Sequence, residues 1–404
     1  MPKGIANNKK LSIQSLYNYF YVILTLLWIP LQKTVLLMDG KGRILFFMTI
    51  FALITNLRFK RFRRFALSTP AAIWLIWCIY VTINAIVKGY SVANLPFSFY
   101  IVLKILCPYV IMSVSAYEYT KNNIKFLKAL LITFVVYSTI GFFFMDNFYI
   151  AEQEGRSADN TLGNLLALNA IFIAFFAGLL MSMKVISQKY FYIFLAYAAA
   201  IITLSATRKA FGALLIIYLF IIFSQTKPTL GNILKLSCIF LVIYIGLDFV
   251  INNTYLGERF GNIEESAESF VDTNNPFLKL VGDRAFFYVT GWEVFLNNAL
   301  FGIGLTNFPT YTRTSLIIHT EYIVQLCECG IVGTSLFAMF YTSILAKVSR
   351  KRRLCPKEKA NGTIMIGVIV AILFIGLTAW LYDFAFYFAV IGVVIGYAKM
   401  LEPR

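Results

Sequence analysis

The 404-residue chain contains one histidine, His319, within Leu316-Ile317-Ile318-His319-Thr320-Glu321-Tyr322. An imidazole titrates near neutral pH, so this is the natural general base for a hydroxyl nucleophile. On spacing alone, an interfacial histidine bonded to a loop carbonyl is the better explanation. Arg208 ends the hydroxyl-rich run Leu204-Ser205-Ala206-Thr207-Arg208 and is followed by Lys209. A guanidinium fork pairs phosphate oxygens two at a time, which suits a diphosphate. At a helix end such an arginine can also snorkel to the interface. Arg284 follows Asp283 at the start of a helical pattern, where a cation slightly opposes the dipole and its presence therefore points to function. Arg156, in Gly155-Arg156-Ser157, reads as a solvated loop charge that could join them. Lys104 lies inside an apolar run, where charges face a water-filled cavity or a partner.

Other chemistries lack their residues. There is no G-x-x-x-x-G-K-[ST] phosphate loop, no D-x-D pair and no H-E-x-x-H, so a metal-free mechanism without a cofactor is the simpler expectation. Six cysteines fit no disulfide framework. Cys327 and Cys329 form a C-x-C, but one histidine leaves a zinc site few partners, and they read as small apolar helix residues.

Placing these residues falls to membrane helices. Hydrophobic residues make up 59% of the chain and charged residues 14%, against roughly 45–50% and 25% in soluble domains. Mean hydropathy is +0.75. Only a bilayer solvates this much apolar surface, which excludes a disordered chain, a coiled coil and a soluble enzyme. Apolar runs predict an all-α polytopic protein, 1–404 as one integral membrane domain, with about twelve spans. They fall near 16–37, 44–57, 71–87, 97–116, 126–145, 161–183, 191–206, 210–224, 236–251, 326–346, 362–381 and 383–400. The first is too long for a signal-peptide core. With the N-terminus inside, 24 of the 36 Lys and Arg fall on the cytoplasmic face. The positive-inside rule thus explains most of the +17 net charge without nucleic acid, and puts both termini in the cytoplasm.

The longest extracytoplasmic segment, 252–325, precedes the tenth span and is where chemistry outside the cytoplasm would be housed. Within it Ala285, Tyr288, Val289, Trp292, Phe295, Leu296 and Ala299 follow helical spacing. That predicts an amphipathic helix starting near Asp283 and lying at the membrane interface.

The stretch from Leu204 to about Phe340 resembles the O-antigen ligase/polymerase family, which includes Wzy-type polymerases and WaaL-type ligases. Three ordered patterns carry the likeness: Leu204-Ser205-Ala206-Thr207-Arg208; Asp283-Arg284 leading to Trp292 and Leu300-Phe301-Gly302-Ile303-Gly304; and His319-Thr320-Glu321-Tyr322 followed by Glu328-Cys329-Gly330. Thr320 stands where the family has Asn, and Lys209 where it commonly has Gly or Ala. The resemblance implies a GT-C-like fold and transfer of undecaprenyl-diphosphate-linked glycans at the outer face of the bacterial inner membrane. It implies His319, Arg284 and Arg208 as catalytic residues, with Arg156, Lys209, Glu321 and Lys104 expected to bind substrate. The implied partners are the lipid-linked donor, a glycan or lipid A-core acceptor, membrane lipids and a chain-length regulator protein. Between the two branches, polymerase is the expected one, ligase the alternative, and a polysaccharide transporter the third reading.

Overall fold

The computed structural model describes residues 12–32, 43–88, 105–144, 160–205, 207–225, 285–313, 318, 320–382 and 384–400. Among them the chain is helical and no strand occurs. In order, the helices are α1 (Ile13–Gln32), α2 (Arg43–Leu57), α3 (Lys60–Ala66), α4 (Thr69–Val87), α5 (Cys107–Phe144), α6 (Asn160–Ser182) and α7 (Gln188–Leu204). There follow α8 (Arg208–Gln225), α9 (Ala285–Asn297), α10 (Phe308–Thr312), α11 (Glu321–Leu354), α12 (Lys359–Gly376) and α13 (Ala385–Lys399).

Apolar runs become helices here because a bilayer offers backbone amides no water, so each must bond within its own segment. Among the described residues, five helical segments are long and apolar enough to cross a membrane: Thr69–Val87, Cys107–Gly141, Leu165–Ser182, Glu321–Leu354 and Pro356–Gly376. Apolar helices of 10–17 residues lie at Ile13–Leu27, Leu45–Leu57, Gln188–Leu204, Lys209–Gln225 and Ala385–Lys399. The chain is therefore a multi-pass helical membrane protein. The expected span at 236–251 lies outside the described residues.

Residues 107–116 and 126–144 of the spans expected at 97–116 and 126–145 lie in α5, which is divided at Asn122, whose backbone (φ −147°, ψ 64°) leaves the helical region; residues 97–104 lie outside the described residues. The break sits among polar groups that tie α5 to the start of the chain. Lys121 Nζ donates to Ser12 Oγ at 2.9 Å and Ser15 Oγ at 2.6 Å. Asn18 and Asn56 exchange amide hydrogen bonds of 3.1 and 2.8 Å, and Asn18 Nδ2 also donates to Glu118 Oε1 at 2.7 Å. These bonds join α1, α2 and α5 at fixed register, as polar side chains do between membrane helices.

The core lies around α13 and α6. Residues 386–397 of α13 and 165–180 of α6 are buried on every side, the pattern of a helix enclosed by others. Close approach comes from small residues. A Cβ at Gly392 would stand 2.4 Å from the Met112 carbonyl oxygen and 2.7 Å from Ser115 Cβ. One at Gly396 would stand 2.8 Å from the Ala116 carbonyl oxygen. Gly392 and Gly396 are four apart, so both face α5, and side chains there would force the helices apart.

On this basis Gly392→Ala should destabilise the protein by about 1–3 kcal/mol, since the new methyl meets backbone, which cannot rotate away. A thermal melt of purified protein in detergent checks it. A melting temperature equal to that of the unsubstituted protein would show that α5 and α13 need not approach so closely.

Candidate functional site

The third sequence pattern folds into a broken helix. Within α11, Gly330 has φ 65° and ψ −171°, a conformation open to glycine and strained for other residues. It separates a first arm, 321–329, from a second, 331–354. The first arm starts level with the end of α12: Tyr322 Oη donates to the Leu373 carbonyl at 2.7 Å and packs 3.5 Å from the Cβ position of Gly376.

A break inside an apolar helix orphans backbone groups on both sides. Residues 299–304 occupy it and satisfy them. Ile303 N–H donates to the Cys327 carbonyl at 3.0 Å and Gly304 N–H to the Glu328 carbonyl at 2.9 Å. In return Ile331 and Val332 N–H donate to the Ala299 and Leu300 carbonyls at 2.8 and 3.3 Å. The backbones touch, for a Cβ at Gly302 would lie 2.4 Å from the Glu328 carbonyl, and one at Gly330 2.5 Å from the Leu300 oxygen. From α4, Tyr80 Oη donates to the Cys329 carbonyl at 2.6 Å and Asn84 Nδ2 to the Phe301 carbonyl at 2.8 Å. The buried Glu328 side chain accepts from the Thr306 N–H at 2.7 Å and the Phe308 N–H at 3.2 Å, fixing the entry to α10. The glycines and acid of the sequence pattern are thus the parts of one joint.

A second junction forms at residues 377–382, between α12 and α13. Tyr288 Oη of α9 donates to the Leu377 carbonyl at 2.8 Å. Lys209 Nζ, in the first turn of α8, donates to the Thr378 carbonyl at 3.4 Å. The Trp380 indole N–H donates to the Ile318 carbonyl. Leu381 N–H donates to Glu321 Oε2 at 2.6 Å. Glu321 Oε1 accepts from Gln325 Nε2 at 2.8 Å, and Gln325 Oε1 accepts the Trp77 indole N–H at 3.1 Å. Glu321, Gln325 and Trp77 are fully buried. The α9 helix rests on the same arm: a Cβ at Gly291 would stand 2.3 Å from Ile323 Cγ2.

Of the expected site residues, His319, Arg284, Arg156 and Lys104 lie outside the described residues, as does the side chain of Arg208, whose backbone opens α8. Lys209 and Glu321 are described, and both bond to the 377–382 turn. Glu321, expected to bind substrate, has both carboxylate oxygens on protein donors. Ile318 and Thr320 flank position 319 and are themselves buried. The expected helix near Asp283 is α9, but its inward residues are Phe287, Gly291, Val294 and Phe295, while Trp292 and Leu296 are exposed. The reason is that α9 is apolar nearly all round, so sequence spacing could not choose which stripe would pack. Cys327 and Cys329 are free and buried.

Sequence reasoning missed Trp77, Asn84, Gln325, Trp380 and the role of Glu328. Glu328 carried a signal, being a charged residue in the apolar span 326–346 within two turns of the histidine pattern, and Gln325 stood at the edge of that span. Trp77 and Trp380 carried none, since an aromatic in an apolar run looks like any other.

Residues 193–338 match the family model described as O-antigen ligase. The matched stretch runs from α7 into the second arm of α11 and takes in positions 208, 284, 319, 321 and 328. It supports the likeness to the O-antigen ligase/polymerase family and a ligase- or polymerase-type role in surface-glycan assembly. No curated protein matches the chain.

Removing the Glu328 carboxylate strands two amides in a buried joint. Glu328→Ala should therefore cost about 1–3 kcal/mol for each amide left without an acceptor, and Glu328→Gln, which keeps one acceptor, should cost less. Gly330→Ala should be at least as damaging, because strain and backbone collision add. Thermal unfolding in detergent ranks the three. Equal stability of Glu328→Ala and Glu328→Gln would dismiss the carboxylate as the clamp.

Proposed function

We propose that this chain is a membrane-embedded glycosyltransferase that polymerises undecaprenyl-diphosphate-linked oligosaccharide repeats into a surface polysaccharide. The observation that carries the transferase part of this reading is the family match across residues 193–338, a range that contains Arg208, Arg284 and His319 in the order the resemblance requires. The junction at 377–382 supports it. Lys209, Ile318 and Tyr288, each within four residues of one of those three, hydrogen-bond to a single turn.

The chemistry is direct displacement at the anomeric carbon. His319 removes the proton from the acceptor sugar hydroxyl as its oxygen attacks. The new glycosidic bond forms as the bond to the lipid diphosphate breaks, and the electron pair leaves with the diphosphate. Arg208 and Arg284 stabilise the charge growing there, the electrostatic contribution that usually dominates such catalysis. One displacement inverts the anomeric centre and leaves no covalent glycosyl-enzyme. Arg156 and Lys104 add positive charge for the substrate. The protein sits in the bacterial cytoplasmic membrane with both termini inside, acting at the outer face on the 252–325 segment, with a chain-length regulator as a further partner. The alternative is the ligase, which moves finished glycan to lipid A-core and is the activity in the matched family's description. Both use the same donor, base and diphosphate clamp, so only the acceptor separates them.

Transfer from a defined lipid-linked donor, read as product ladders on a gel, tests the reading. His319→Ala should abolish transfer at normal protein abundance, and near-complete activity would remove it as the base. Arg208→Ala and Arg284→Ala should each lower turnover on the order of 10²–10³-fold. Lysine at either position should restore only part, because a point charge cannot replace the bidentate fork. EDTA should leave transfer intact. Deleting the gene should leave surface glycan as single repeats. Loss of all surface glycan, with long lipid-linked chains accumulating, would identify the ligase instead.

A further inference from the structure

The buried chain from Trp77 through Gln325 to Glu321 has a direction, and Trp77 sets it. An indole N–H can only donate. It donates to Gln325 Oε1 at 3.1 Å, so the amide must turn its Nε2 toward Glu321, where it donates to Oε1 at 2.8 Å. Trp77 itself cannot turn, being stacked on Trp74 at 4.6 Å between ring centroids and bounded by Tyr382 at 5.9 Å. The remaining carboxylate oxygen of Glu321 takes the Leu381 N–H at 2.6 Å. Glu321 thus serves two donors from opposite sides, a task an ionised carboxylate performs and a primary amide cannot.

What the carboxylate holds is the turn on which three other segments converge. Leu377, Thr378 and Trp380 receive or give the bonds to Tyr288, Lys209 and Ile318. Releasing Leu381 loosens the common anchor of α8, α9 and the residues before α11. We propose that Glu321 is a positioning residue: aimed by the Trp77 indole through Gln325, its carboxylate holds the 377–382 turn in the arrangement glycan transfer requires, and it does not touch the glycan. The kinetic part rests on the transferase reading above, while the tether itself does not.

The test uses full-length protein in nanodiscs with lipid-linked oligosaccharide as donor. Four forms are compared: unsubstituted, Glu321→Gln, Trp77→Phe, and the two substitutions together. Glu321→Gln sets an amide donor against the Gln325 donor or the Leu381 amide. It should lower kcat about tenfold or more with the donor KM within about twofold, and speed hydrogen exchange at Leu381. Trp77→Phe frees Gln325 to flip and offer its oxygen to the new amide. The double variant should therefore turn over about threefold or more faster than Glu321→Gln alone, a coupling opposite in sign to independent damage. A raised donor KM at unchanged kcat would show that Glu321 binds glycan and overturn the proposal. So would unchanged exchange at Leu381, or a double variant as poor as the product of the single effects. If the unsubstituted protein transfers no glycan, the transferase reading fails, and exchange at Leu381 in Glu321→Gln still decides whether the tether exists.

Discussion

Inside a bilayer an amide that leaves its helix has no water to bond, and every departure from regular helix must be repaired by the protein itself. The break at Gly330 is the departure on which the site depends. Its repair requires residues 299–304 to enter backbone-first, with Gly302 against Glu328 and Gly330 against Leu300. That seating places α10 through Glu328, and it lets the first arm of α11 begin level with the end of α12. A continuous helix would satisfy its own ladder and leave no opening for residues 299–304.

The same constraint governs the polar side chains. Glu321, Gln325 and Trp77 form a buried run in which each donor meets an acceptor, and the run ends on a backbone amide of the α12–α13 turn. Beside the break in α5, Asn18, Asn56 and Glu118 are likewise joined by hydrogen bonds between α1, α2 and α5. Burying such groups is unfavourable unless they are paired, so each set admits few alternative registers of the helices that carry it. The apolar contacts supply adhesion with little selectivity, and the polar runs supply alignment.

Close packing at α13 gives the assembly its fixed axis. Gly392 and Gly396 bring α13 against Met112, Ser115 and Ala116 of α5. Trp74 of α4 bridges Phe340 of α11 and Phe388 of α13, at 5.0 and 4.5 Å between ring centroids. The turn at 377–382 leads into this axis, so the groups gathered there are referred to a helix that is buried on every side over residues 386–397.

Much of this was legible in the sequence because hydropathy acts locally. Runs such as Ile13–Gln32 and Asn160–Ser182 become helices whatever surrounds them, since the bilayer imposes the same demand on each. The ordered patterns around Arg208, Arg284 and His319 were legible for a similar reason: a charge or lone imidazole beside a membrane span is conspicuous by type. The tertiary structure alone decided the rest. Trp77 and Gln325 are 248 positions apart and meet only after α4 packs on α11. The apolar stripe of α9 that turns inward was chosen by Ile323, which no periodicity within α9 encodes. The division of α11 was also hidden, because Gly330 in an apolar run resembles any small helix residue until another backbone arrives to fill the break. Composition acts through the solvent, which every residue meets, whereas these choices act through partners that folding alone brings within reach.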